Sequence, residues 1–552
     1  MTRLFKTVLF FSSLLILGCS GSGGSTSTTT TNNGSVETCF DVEVTNSGNR
    51  QTQNICTTSE NGGYNGLGVA RFIKFSVASS ATVTIKATRT SGLNPADPDL
   101  YLFKNGVIQN LAESTTSNTE SLTANLNAGD YVVEINEYAY WSASPKQTVN
   151  SAVTQKTSET IISQATAPSN CATGSDSTVS GTVTFDRVPH SGGALNYAGT
   201  TPEPIQQAVI EVICNGGAYD SDITAANGSY SLSFPNNQPS FIRVNAQMLN
   251  GANWDFSVVD NTTSGQPIYV MDGSSFTENT NQVRNLNADS GWGGTSYTGP
   301  RVAAPFAILD SVRKAKDKVL SAASVSFPAL KINWSPANSA LTINSSFYNG
   351  TEIFILGAEN SDTDEYDEHV VIHEWGHYFE DKFSRSDSIG GPHSGGDILD
   401  IRVAFGEGFG NAFSSIVTDN PVYIDTSGSQ QSAGFTINME NNNCTNAGWY
   451  SECSVQSALY DIYDSSNDGA DSLSLGFTPI YNVLVGAQKN TSAFTSIFSF
   501  TKAFKDENAG SANALDSILN VQNIDSVTDI YGSSQITSNP GTTDQLPVYG
   551  SY

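Results

Sequence analysis

Two N-terminal all-β sandwiches followed by a mixed α+β domain is the fold class the sequence predicts, and three observations predict it. Residues 37–145 and 171–275 read as short alternating runs broken by Gly, Asn, Asp and Ser, with no helical period. From about residue 285 the period changes, and apolar residues recur three and four apart, first at Ala307, Ile308, Val312, Ala315 and Val319. The chain's 552 residues exceed one ordinary domain and carry enough apolar side chains for several cores.

The first residues bear on compartment. Arg3 and Lys6 precede an apolar run from Val8 to Leu17, too short to span a membrane and stay there. The run ends in Ile16-Leu17-Gly18-Cys19, which resembles a bacterial lipoprotein signal over residues 1–18. That resemblance implies cleavage before Cys19 and lipid on its sulfur; Ser20 in place of Asp implies release from the inner membrane. An exported outer-membrane or cell-surface lipoprotein is expected, touching the membrane through its lipid only. Residues 19–36 are low-complexity Ser, Gly, Thr and Asn and read as a flexible tether.

Charge and cysteine usage agree with export. The net charge is −28 and no Lys/Arg cluster exists, which excludes nucleic acid as a partner. Setting Cys19 aside, the seven cysteines leave an even set in an oxidising compartment. They fall in three regions, so Cys39–Cys56, Cys171–Cys214 and Cys444–Cys453 are the expected disulfides. No C-x-x-C occurs, which argues against a cysteine-based zinc site.

In the first sandwich, strands are expected at Ala70–Val77, Ala81–Ala87, Leu100–Phe103, Ser121–Leu126 and Tyr131–Ile135. The stretches Asp97-Pro98-Asp99-Leu100-Tyr101-Leu102-Phe103 and Leu126-Asn127-Ala128-Gly129-Asp130-Tyr131 together resemble the pre-peptidase C-terminal domain, a module that accompanies secreted peptidases. Residues 146–170 read as a linker. The second module opens with Val179–Phe185 and turns at Asn227-Gly228-Ser229-Tyr230; it resembles carboxypeptidase-regulatory-like or immunoglobulin-like sandwiches. Neither module shows a convergent polar constellation, so both are expected to act as spacers.

The third region, 285–552, holds the chemistry. His373-Glu374-Trp375-Gly376-His377 spells H-E-x-x-H inside a helical pattern. Side chains four apart share a helix face, so His373 and His377 can hold one ion. Glu374 lies about 100° round the helix, better placed to reach a water than to join a first shell. Asp362, Asp364, Asp367 and Glu368 crowd the helix start, where the macrodipole favours negative charge. Val371, Trp375, Tyr378 and Phe379 form an apolar stripe, so the helix is expected to be a buried wall. Upstream, the helix over Ala304–Ala323 is expected to keep Lys314, Lys316 and Lys318 outside.

Catalytic zinc takes three protein ligands and a water. Position 383 is Phe, which excludes the metzincin pattern. Glu407 is the best third candidate: it sits in the otherwise apolar helix Ala404–Val417, flanked by Gly406 and Gly408, where a lone carboxylate would need a partner. Asp397 and Asp400 are further candidates on the intervening loop. H-E-x-x-H followed by Gly406-Glu407-Gly408-Phe409 resembles the gluzincins, the clan of thermolysin and the zinc aminopeptidases. The resemblance implies a zincin-like fold, one Zn2+ per chain on His373, His377 and Glu407, and Glu374 as general base. Asn411 then stands where that pattern has an Asp orienting a histidine, and Tyr450 or His393 is the expected oxyanion donor. His369, one turn before His373, is expected at the helix start, satisfied by acidic neighbours and solvent.

A zinc-dependent peptidase, expected to be an endopeptidase acting on protein or peptide, is thus the leading expectation. Two rivals stand beside it: a catalytically inactive zincin-like adhesin, and a calcium-dependent binding lipoprotein using the Asp362–Glu368 cluster and the Asp97/Asp99 turn.

Overall fold

The computed structural model describes residues 37–46, 48–58, 69–114, 117–138, 169–171, 174–441, 443–466, 469–535 and 549–551. The expected signal, Cys19, the tether and most of the linker lie outside these residues. Sheets dominate the N-terminal part and helices the C-terminal part, a multidomain mixed architecture.

Two sheets form the first β unit. One runs, in spatial order, Asn49–Thr58, Glu37–Asn46, Ala81–Ser91 and Thr119–Leu126. The other runs Tyr549–Ser551, Ala70–Val77, Gly129–Glu137, Pro98–Lys104 and Val107–Ala112. Phe40, Ile73, Phe75, Ile85, Leu100 and Val133 pack between them. The second sheet is buried on both faces: Leu100 and Leu102 point into the sandwich, while Phe72, Tyr101 and Phe103 join the core of the rest of the chain. Two-sided burial is plain in Pro98–Phe103 and Tyr131–Glu137, which are buried without alternation although the second run includes polar residues. Disulfides join Cys39 to Cys56 across a hairpin, Cys171 to Cys214, and Cys444 to Cys453.

A second pair of sheets centres on the long strand Asp176–Arg187 and on Val209–Cys214. Here the structure departs from the sequence reading. Strands Gln247–Leu249 and Asp255–Asp260 do not complete this pair of sheets. They belong to a five-stranded sheet with Leu330–Trp334, Ile353–Ile355 and Phe347–Tyr348, whose three middle strands are parallel. The physical reason lies in the run Phe256-Ser257-Val258-Val259, buried without alternation as an inner parallel strand requires. Helix α1, Ala303–Ala322, lies in the chain between two of the parallel strands and packs on Asp255–Asp260. One apolar core therefore runs without a break from the second pair of sheets into the helices.

Lys316 on α1 is not outside. It is 1% exposed, donates to Gln207 Oε1 at 2.5 Å and lies 4.5 Å from the centre of the Trp254 ring. Burial holds its ammonium below the usual pKa despite the neighbouring Asp317.

Helix α2 spans Glu368–Phe383, α3 Ile401–Thr418 and α4 Glu452–Tyr463; α5 (Phe477–Val483), α6 (Ile497–Glu507) and α7 (Ala512–Val521) pack behind them. The apolar stripe of α2 meets α3 through aromatic rings, with Phe379 and Phe413 nearly parallel at 6.0 Å and Trp375 5.8 Å from Phe413. Helices α3 and α4 approach so closely that a Cβ on Gly408 would stand 2.6 Å from Val455.

Both β units grip these helices. Asp400 caps α3 by accepting from the Arg402 amide. The Arg402 guanidinium, 2% exposed, donates to Asp400 at 2.9 Å and to Glu134 of the first β unit at 3.0 Å. It lies between the rings of Phe72 and Phe494, 5.0 and 4.7 Å from their centres. From the second pair of sheets, Arg187 pairs with Glu368 at 2.8 Å and His190 with Asp367 at 2.7 Å, both at the start of α2. The β units are therefore built into the walls of the helical region, which a spacer role does not require.

Candidate metal centre

Helix periodicity puts His373 and His377 on one face of α2, and the crossing with α3 brings Glu407 against them. The Nε2 atoms of the two histidines are 3.0 Å apart. Glu407 Oε2 stands 3.2 Å from His373 Nε2 and 3.4 Å from His377 Nε2. Ligands about 2.1 Å from a tetrahedral zinc stand about 3.4 Å apart, so the three atoms fit one face of such a shell. His373 and Glu407 are each 7% exposed, and His377 is half-buried, which leaves one open side.

The second layer is also set. His373 Nδ1 is 2.8 Å from Asn411 Oδ1, and Asn411 donates in turn to Gln456 Oε1 at 2.9 Å. Asn411 can only accept through that oxygen, so Nδ1 carries the proton and Nε2 offers its lone pair to the centre. Gly410 is required by the same ring, because a Cβ there would stand 2.8 Å from His373 Cε1 and 2.9 Å from Nδ1. Gly376 faces Gly410 across the crossing, where a Cβ would be 3.5 Å from the Gly410 Cα.

His393 arrives from the Gly-rich turn. Its Nε2 is 3.2 Å from Glu407 Oε2 and 3.7 Å from Glu452 Oε2, and the turn that carries it has Gly390 and Gly391 at positive φ. The field at the centre favours positive charge. Burial alone would raise the Glu407 pKa, but His393 and then His377 outweigh it and hold this carboxylate well below the usual range. Burial would lower His377, yet Glu407 first, then Glu374 and Glu380, push it up to about 9. Against the same effect of burial, Glu407 and Glu452 push His393 up to about 10. Burial itself, partly offset by His393, raises Glu452 to about 7. Such a field suits a cation among these donors.

Glu374 is 8% exposed, and among the described residues no hydrogen bond ties down its carboxylate. The other candidates fall elsewhere. Asp400 is the α3 cap already described. Tyr450 is buried beside Trp449, and among the described residues no hydrogen bond or ring contact joins it to the three central side chains. His369 is 2% exposed, so solvent does not satisfy it; Nε2 meets the Thr418 hydroxyl at 3.2 Å and burial lowers its pKa to about 4.

Sequence reasoning missed Gln456, Glu452 as a neighbour of the centre, and Tyr423, whose ring centre is 6.4 Å from that of His373. The only available signal was Glu452 and Gln456 on one face of the apolar helix α4, four residues apart.

Residues 321–521 match the family described as the Mycolysin C-terminal domain, which marks a peptidase-related protein and links this part of the chain to the mycolysin metallopeptidases. The matched stretch includes His373, Glu374, His377, His393 and Glu407. No curated protein matches the chain. Among solved structures, one described as a Ca2+-stabilised adhesin that helps an Antarctic bacterium reach out and bind ice is similar at 11% identity. The similarity covers 45% of this chain and 66% of that one, just under two thirds of its length, with a TM-score of 0.11 that supports no inference.

Proposed function

We propose that the chain is an exported zinc peptidase in which His373, His377 and Glu407 hold one Zn2+ and Glu374 is the general base. The observation that carries this reading is the mutual spacing of three ligand atoms, 3.0, 3.2 and 3.4 Å, beside an H-E-x-x-H glutamate with an untethered carboxylate. Zinc held there supplies Lewis acidity toward a scissile carbonyl and toward water. The chain's own residues do the rest. Glu374 takes a proton from the attacking water and delivers it to the leaving amine. Asn411 fixes the His373 tautomer, with Gln456 holding Asn411 in turn. His393, held beside Glu407 and Glu452, donates to the oxyanion that develops on the substrate carbonyl. The disulfides suit an oxidising compartment. Lipid attachment at Cys19 is part of the same proposal, tested by whether Cys19→Ala abolishes incorporation of labelled fatty acid.

Zinc content and cleavage of a mixed peptide library, measured together on the full chain and on Glu374→Gln, test the peptidase reading. One zinc in each protein is expected, with cleavage slowed in the variant by about 10²–10⁴-fold. Zinc in both with no cleavage by the parent refutes the enzyme, and absence of zinc refutes the centre.

A further inference from the structure

Away from the histidines, a second set of side chains converges without an evident partner. Asp362 and Asp364 lie on the segment leading into α2, and Asp425 lies on the strand Val422–Ser427. One carboxylate oxygen from each falls within 4.8 Å of the others. The fold, not local sequence, makes this cluster, since Asp425 comes sixty residues after the other two.

Asp364 is 3% exposed. Its Oδ2 accepts from the Ser346 hydroxyl, which leaves Oδ1 for the cluster, and Oδ1 is buried with no hydrogen-bond partner. Asp362 Oδ1 is buried and unpartnered too. Among the described residues no ion pair reaches any of the three. Burial first pushes all three upward, and the charge of neighbouring carboxylates, Asp367 among them, adds to it; in Asp362 a side-chain hydrogen bond with Asp364 partly offsets the rise, which reaches about 6. Asp367 itself is engaged, accepting from the Thr426 amide at 2.8 Å and meeting His190 at 2.7 Å. Buried carboxylates are tolerated when a cation pairs with them or they coordinate a metal, and among the described residues no basic side chain pairs with these three.

We propose that Asp362, Asp364 and Asp425 are the ligand core of a divalent-cation site of the calcium type, which fastens the approach to α2 against the strand Val422–Ser427. Oxygen-only donors select a hard cation over zinc. Oxygens 2.3–2.6 Å from Ca2+ stand at most about 5 Å apart, which the cluster satisfies. The location gives such a cation a purpose. The two segments it joins share a single register pair, Asp362 with Ser427, so the ladder alone holds them weakly. Tyr423 on the same strand packs its ring toward those of His369 and His373. The cation therefore braces a wall of the histidine site without touching it.

Calorimetric titration of the zinc-loaded, calcium-stripped full chain with CaCl2, with thermal melts alongside, tests this. One Ca2+ per chain and a rise in Tm are expected. Asp425→Asn should weaken binding by at least about 10-fold and lose the Tm response, because ligand charge sets affinity. Without calcium, removing one repelling charge should raise the variant's Tm above the parent's, opposite to the loss of an ordinary buried contact. Asp362→Asn, at the less buried ligand, serves if Asp425→Asn fails to fold. His377→Ala should keep the calcium response, which separates this site from the zinc centre. Unchanged binding in both Asn variants overturns the assignment. So does a parent that binds no Ca2+ at millimolar concentration and only loses stability as pH rises from about 4 to 7, since the cluster is then held by protons.

Discussion

Replacing Gly410 by Ala tests whether the crossing of α2 and α3 sets the metal geometry. The added Cβ would stand 2.8 Å from His373 Cε1 and 2.9 Å from Nδ1 and Nε2. Ordinary carbon contacts begin near about 3.5 Å, so the ring must retreat by about 0.7 Å. It has no easy retreat, because Nδ1 is bound to Asn411 and Nε2 faces Glu407 and His377. Metal–ligand distances tolerate about 0.2 Å, so the displacement exceeds tolerance more than threefold. Zinc affinity should fall by about 10–100-fold, the range seen when a ligand's orientation is lost. Global stability should change little, since the gain of about 1 kcal/mol from Ala over Gly in a helix offsets part of the strain. Gly376→Ala is the control: its nearest atoms, Phe413 Cδ1 and Gly410 Cα, would be 3.4 and 3.5 Å away, which needs only a small adjustment. Competition against a chelator of known zinc affinity, with thermal melts alongside, reads both quantities. Gly410→Ala binding zinc as tightly as the parent would refute the argument.

Arg402→Ala leaves Glu134 buried at 0% exposure without its cation, and should cost about 3–5 kcal/mol in urea unfolding. A cost below about 1 kcal/mol would show that the pair is solvated and the first β unit loosely docked. His369 should make the protein acid-sensitive. Its folded pKa lies near 4 against an ordinary 6.5, so the unfolded chain binds the proton first and stability falls as pH drops between those values. The full loss, on the order of 3 kcal/mol, is reached below pH 4. His369→Gln should remove that slope, and unfolding midpoints of both proteins between the two pH values decide it.

Local pattern made much of the helical region legible. Spacing of four places His373 and His377 on one face, and the stripe from Val371 to Phe379 marks the buried side of α2. Glu407 stood out because an isolated carboxylate in an apolar helix needs a cation nearby. What escaped depends on pairings distant in sequence. Nothing short-range ties Gln456 to Asn411, or Asp425 to Asp362. Lys316 and His369 misled because polarity was read as exposure, whereas each is buried with a hydrogen-bond partner, Gln207 and Thr418. The strand Asp255–Asp260 was drawn into a sandwich by its neighbours, although its unbroken apolar run belonged to a parallel sheet.

The short strand Tyr549–Ser551 pairs in parallel with Phe72–Lys74, and the Tyr549 hydroxyl accepts from the Phe494 amide. A ribosome releases the two partners of that ladder roughly 480 positions apart, at about 5–20 residues per second. For roughly 25–95 s, one edge of the first β unit is thus a bare template, and so is the face that will receive Phe494. Closure of that edge is a late event in the life of the nascent chain. It also makes completion of the first β unit report on whether residues made roughly 480 positions later have found their place.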